Sequence, residues 1–186
     1  MIYINDDIQA LDLTAAFAAV GLERREYALR YRREMDQRLC LAAHMLLQRA
    51  LRFEYGIEQV PTFNYGPYGK PSLAGYPDIH FNLSHCEHAA ACVVATHPVG
   101  IDVESIDRYD KELLPHIMND EEQLLIVNSP YPEVDFVRLW TMKESLIKCP
   151  GQGMADDIKS ILSAANSYRF NTTIYPRYIC TVCSPC

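Results

Sequence analysis

Residues 100–105, GIDVES, set two acids into a run that otherwise has the character of a buried strand. Strand side chains alternate faces, so Asp102 and Glu104 share one face and Ile101 and Val103 the other. Two carboxylates that close raise each other's pKa unless a cation or hydrogen-bond donors compensate. The segment must therefore be a strand with one apolar face toward a core. Its acidic face meets either open water or something positive.

The neighbouring segments say what such a strand packs with. Residues 79–83 (IHFNL) alternate as a short strand and 89–96 (AAACVVAT) read as a fully buried one; with 99–105 they predict a three-stranded antiparallel meander. Leu39, Ala42/Ala43, Leu46/Leu47 and Ala50/Leu51 recur at three- and four-residue spacing, which predicts a helix over 34–55 stopped by Gly56. The Arg-, Glu- and Ala-rich stretch 22–33 predicts a helix before it. Between helix and meander, PTFNYGPYGKPSLAGYPD (61–78) has a Pro and Gly content that excludes regular structure.

Asn119 with Glu122 has the form of a capping box opening a helix at 120–127, and SPYP (129–132) breaks the chain. Residues 133–148 form an amphipathic helix with Phe136, Leu139/Trp140 and Ile147 on one stripe, ended by CPGQGM with Gly151 and Gly153. The tail supplies two strands, SYRFNTTIY and YICTVC. Helix followed by strands occurs once in each half, so the expected fold class is α+β with two similar halves, 1–97 and 98–186.

Composition narrows the function classes. At 186 residues the chain suits one domain or two intimately packed halves. No apolar stretch approaches the ~20 residues that span a bilayer, and the acidic MIYINDDIQALDL lacks the basic n-region of a signal peptide. A cytoplasmic protein with its seven cysteines reduced is expected, with no membrane partner. A net charge of −7 argues against nucleic acid as a partner. Yet Arg24, Arg25, Arg30, Arg32, Arg33 and Arg38 gather six of the 17 Lys and Arg side chains. They are either a solvated helical face salted with Glu23, Glu26 and Glu34 or a patch for an anionic small ligand.

Three clusters carry the chemistry. In WTMKESLIK, Glu144 and Lys148 lie one helical turn apart on one face. Alone they form an exposed ion pair; beside Asp102 and Glu104, Glu144 completes a set of carboxylates that suits Mg²⁺. Ser84 and His85 end the FNLSH strand, where a hydroxyl and an imidazole can face an anion. Lys70 lies in the YGKP loop, within reach of a phosphate or of water. The tail spacing Cys180, Cys183, Cys186 would suit a cluster or zinc, but a fourth ligand is not evident and a strand is expected.

YGKP (68–71), FNLSH (81–85), GIDVE (100–104) and WTMKESLIK..GQG (140–153) resemble, in order and spacing, the 4′-phosphopantetheinyl transferases of the larger, surfactin-synthetase-activating type. The resemblance implies two α+β halves about a pseudo-twofold axis, an active site in the cleft between them, and a monomer. It implies coenzyme A as donor, Mg²⁺ as cofactor and a serine of an apo acyl, peptidyl or polyketide carrier protein as acceptor. Residue by residue it implies Asp102, Glu104 and Glu144 as metal ligands, with Glu144 also a base. Lys148 is implied on the diphosphate, and Arg38, Lys70, Ser84 and His85 on coenzyme A. Glu122 matches a further family glutamate. A relative that holds coenzyme A or a carrier without turnover, and a Mg²⁺-dependent nucleotide phosphohydrolase, are the competing readings.

Overall fold

Helix α3 (Glu34–Tyr55) organises the first half of the protein. It follows the shorter elements β1 (Ile2–Asn5), α1 (Leu13–Ala19) and α2 (Leu22–Ala28). Its first turn carries Glu34 and Asp36, which suit the positive end of the helix dipole. It ends at Gly56, φ +66°, where Gly56 N–H donates to Arg52 O and Ile57 N–H to Leu51 O. That pattern satisfies the last carbonyls and needs a residue at ease in the left-handed region. The structure is a computed structural model that describes residues 1–151 and 157–186; Gly153 of the expected glycine turn lies outside the described residues.

The chain continues through β2 (Phe63–Tyr65), β3 (Pro71–Leu73), β4 (His80–Cys86), β5 (Ala89–Ala95), β6 (Gly100–Ser105), the short α4 (Leu114–Ile117), α5 (Asp120–Val127), α6 (Pro132–Lys148), β7 (Tyr168–Ile174) and β8 (Tyr178–Pro185). One sheet has the order β1-β5-β4, another β6-β8-β7, each antiparallel throughout. Ala90, Cys92 and Val94 of β5 pack with the apolar stripe of α3. Ala89, Ala91 and Val93, on its other face, pack with Ile101 and Val103 of β6. Burial on both faces is why β5 is apolar throughout. Across the second sheet, α6 buries Phe136, Val137 and Leu139 with Ile179, Met118 and Ile126. No helix among the described residues is long and apolar enough to cross a membrane.

The mixed α and β character, the helices over 34–55, 120–127 and 133–148, and both tail strands stand close to where the sequence predicts them. Three expectations are corrected. The meander stops after two strands, because β1 and β4 occupy both edges of β5 and leave β6 none to join; β6 pairs with β8 instead. The helix expected over 22–33 ends at Ala28. Residues 61–78, expected to lack regular structure, hold the β2–β3 hairpin, with Pro71 at a strand start, where its missing N–H costs least.

Candidate active site

The free edge of β6 faces β4, and side chains join the two. Ile101 N–H donates to Asn82 Oδ1 (2.8 Å) and Val103 N–H to Ser84 Oγ (3.3 Å). Two buried amides that no strand pairs are thus satisfied by Asn82 and Ser84, which share one face of β4. Ser84 Oγ in turn donates to Asp102 Oδ1 at 2.9 Å. Lys148, from the last turn of α6, brings Nζ to 2.5 Å from the same oxygen and 3.3 Å from Ser84 Oγ. Asp102 is 2% exposed, and its Oδ2 is buried without a hydrogen-bond partner. At Asp102 the acidic face of GIDVES therefore meets an ammonium, not water.

Glu104 stands half-buried on the same strand face. Burial, then the Asp102 charge, push its carboxyl up to about 7, against the opposing pull of Arg108 (4.0 Å), the Trp140 indole and Lys148. Glu144, one turn before Lys148, is raised for the same two reasons and lowered by Lys148. Trp140, Glu144 and Lys148 recur at four-residue spacing and so share a helix face. The rotation of α6 that aims this face at β6 is set from behind. Lys143 is fully buried, 2.8 Å from Glu122 Oε2, and donates to the carbonyls of Ile158 (2.9 Å) and Lys159 (3.0 Å). Thr141 hydrogen-bonds Thr181 of β8 at 2.8 Å. Beside the acids opens a cavity of about 310 Å³ walled by Tyr68, Lys70, Asn82, Glu144, Ile147 and Lys148.

The sequence profile of the 4′-phosphopantetheinyl transferase superfamily matches residues 98–182. A 4′-phosphopantetheinyl transferase of Bacillus subtilis is 32% identical over 157 residues, covering 83% of this chain and 70% of that protein. The chain belongs to the 4′-phosphopantetheinyl transferase superfamily. The gsp transferase of Aneurinibacillus migulanus is 31% identical over 162 residues, 84% of this chain and 65% of its own. The Sfp transferase of Bacillus subtilis strain 168 is 27% identical over 157 residues, again 83% and 70%. The chain thus spans about two thirds of the length of these relatives.

Within this phosphopantetheinyl transferase, the structure brings Asp102, Ser84 and Lys148 into one hydrogen-bonded group, with Glu104 and Glu144 close enough to feel the Asp102 charge. His85 is exposed beside them; crowding of its ring and the Lys148 charge lower its pKa, opposed by Asp36. As the side chains stand, no three His, Cys, Asp or Glu among the described residues are arranged to hold a metal ion; Lys148 occupies the place on Asp102.

Other expected residues are engaged elsewhere. Arg38 pairs with Glu34 (2.6 Å) and donates to the carbonyls of Gln9 and Leu11, tying the N-terminal segment to α3. Lys70 donates to three backbone carbonyls, Val99 (3.0 Å), Lys148 (2.7 Å) and Cys149 (2.7 Å), so its ammonium is engaged by backbone in this arrangement. Glu122 caps α5 through Asn119 N–H (2.9 Å) and serves Lys143, not the cleft acids. Cys180 and Cys183 are buried in different apolar clusters, and Cys186 is exposed.

Asn82 escaped the sequence reading although its i, i+2 relation to Ser84 in FNLSH marked it. So did a second cavity of about 640 Å³, which Arg24, Tyr27, Arg30, His44, Phe63 and Tyr65 help to line. It shares Gly69 and Pro71 with the first, so the YGKP loop is a wall common to both. Of the arginine cluster, Arg24 and Arg30 face this space, while Arg25 is held by the carbonyls of Val20 and Ala18.

Proposed function

We propose that the chain transfers the 4′-phosphopantetheine group of coenzyme A to a serine of an apo acyl, peptidyl or polyketide carrier protein, releasing 3′,5′-adenosine bisphosphate. The observation that carries the reading is the convergence of Asp102, Ser84 and Lys148, flanked by Glu104 and Glu144, beside a cavity that Glu144 and Lys148 line, in a member of this superfamily. The halves 1–97 and 98–186 are the units of a pseudo-twofold pair. In support, each sets a long helix, α3 or α6, against its own antiparallel sheet, and β4 and β6 meet where the site lies.

The donor's diphosphate enters the smaller cavity, where Lys148 exchanges its bond to Asp102 for a phosphate oxygen. The nucleotide end extends past Gly69 and Pro71 toward Arg24 and Arg30, which neutralise anionic charge. His85 and Ser84, beside Lys148 at the end of β4, would contact the coenzyme's phosphates, and Arg38 holds the segment before α3 in place.

Asp102, Glu104 and Glu144 would hold Mg²⁺. All three are hard oxygen donors, Asp102 Oδ2 is buried without a partner, and Asp102 raises the pKa of each of the other two, the signature of acids short of a cation. Magnesium takes few protein carboxylates and completes its shell with water and phosphate oxygens, so three preassembled ligands are not required. Bound there, it supplies charge neutralisation on the diphosphate.

In the transfer, the carrier serine oxygen forms a bond to the β-phosphorus of the coenzyme while the bond to the bridging oxygen breaks. The serine proton passes to the Glu144 carboxylate, which lines the cavity one helical turn from Lys148. Lys148 stabilises the charge that gathers on the departing bisphosphate.

The test incubates the protein with coenzyme A, Mg²⁺ and an apo-carrier protein and weighs the carrier by mass spectrometry. A phosphopantetheine adduct supports the reading. Tight coenzyme binding without an adduct would make it a binding module, and coenzyme cleavage without an adduct a phosphohydrolase. Asp102→Ala and Glu144→Ala are expected to abolish the adduct while the circular dichroism spectrum stays that of the parent.

A further inference from the structure

Lys70 sits in the β2–β3 hairpin, a loop closed by Gly66 N–H to Lys70 O (3.0 Å) and Gly69 N–H to Gly66 O (2.9 Å). From there its side chain crosses to the C-terminal end of α6. An ammonium has three donors, and all three are spent on the carbonyls of Val99, Lys148 and Cys149. Two of these are terminal carbonyls of α6, which lack partners inside the helix and carry its negative dipole end. The stem of Lys70 also lies over Gly151. A Cβ there would come 2.4 Å from Lys70 Cδ, and Gly151 has φ +66°, so glycine alone fits on both counts.

One acceptor is the peptide carbonyl of Lys148 itself, the residue whose Nζ lies on Asp102. We propose that Lys70 is a positioning residue: it clamps the hairpin onto the end of α6 and so fixes the backbone from which Lys148 reaches Asp102 and the donor. It does not contact the donor's phosphates. The clamp also explains why Lys70 walls the cavity beside Glu144 and Lys148 while its charge faces away into backbone. The inference rests on the reading of Lys148 as the diphosphate-binding residue.

Lys70→Met keeps most of the stem and removes the ammonium. Without any ligand it is expected to melt several degrees lower than the parent, whereas a residue that only binds phosphate would leave the ligand-free protein unchanged. In carrier modification, kcat should fall about tenfold or more, with or without a rise in KM for coenzyme A, because Lys148 serves both the bound diphosphate and the departing bisphosphate. Gly151→Ala, which displaces the Lys70 stem, should reproduce the kinetic loss. In the Lys70→Ala background that same change should cost only its backbone strain, so the pair is non-additive. An unchanged ligand-free melting temperature, a pure rise in KM, or additive effects would each overturn the clamp. If the parent protein fails to modify any carrier, the function proposed above falls, while melting and non-additivity still judge the clamp.

Discussion

Lys148 Nζ lies 2.5 Å from Oδ1 of Asp102, and the other oxygen of that carboxylate is buried with no partner. The lysine does for Asp102 what a divalent cation would do, and the two compete for one carboxylate. Lys148→Met strips Asp102 of its cation. Breaking a fully buried pair costs roughly 3–5 kcal/mol, and the partial exposure of Lys148 brings the expected loss to about 2 kcal/mol. Thermal melts without divalent ions should show it. Added Mg²⁺ should then raise the variant's melting temperature more than the parent's, and equal shifts would contradict the competition.

Glu104 keeps its proton up to about 7 in the folded protein, against 4.5 for the ordinary side chain. The folded state thus binds that proton more tightly than the unfolded one. Its contribution to stability is full below 4.5, declines as pH rises, and is lost above about 7. Glu144 acts in the same direction. In the absence of divalent ions, Glu104→Gln should therefore gain stability relative to the parent between these pH values, most at the upper end. Melting temperatures across the range would reveal the crossover.

Gly100 is where α6 touches β6 most closely. A Cβ there would stand 2.0 Å from Ser145 O and 2.7 Å from Cys149 N, both backbone atoms that cannot swing aside. Gly100→Ala is expected to cost about 3 kcal/mol or more, at the upper end for overpacking. Chemical denaturation would measure it. Loss of carrier modification should accompany it, since the helix that carries Glu144 and Lys148 must shift.

The buried pair of Lys143 and Glu122 locks the rotation of α6. Lys143→Met should lower stability by roughly 3–5 kcal/mol, because it strands a buried carboxylate and frees two carbonyls. Adding Glu122→Gln to that variant should recover a part of the loss, which a double-mutant comparison of denaturation midpoints would read.

What the sequence determined by itself was local. The capping box of Asn119 and Glu122, the glycine stop at Gly56, the stripe along 34–55 and the shared face of Asp102 and Glu104 all depend on residues a few positions apart, where helix and strand periods are set. The motifs around Ser84, Asp102, Glu144 and Lys148 were legible for the same reason, and the first, second and fourth of these form one hydrogen-bonded group. Tertiary structure decided the rest. Which strand β6 pairs with depends on which edges other strands leave free, and β1, from the far end of the chain, closes the edge a meander would have used. Whether Lys70 meets a phosphate or a helix end, and whether Glu122 meets the cleft or Lys143, depends on which buried charges need a partner once the layers have packed. No spacing in the sequence encodes that, because burial sets the cost of an unpaired charge and burial belongs to the whole fold.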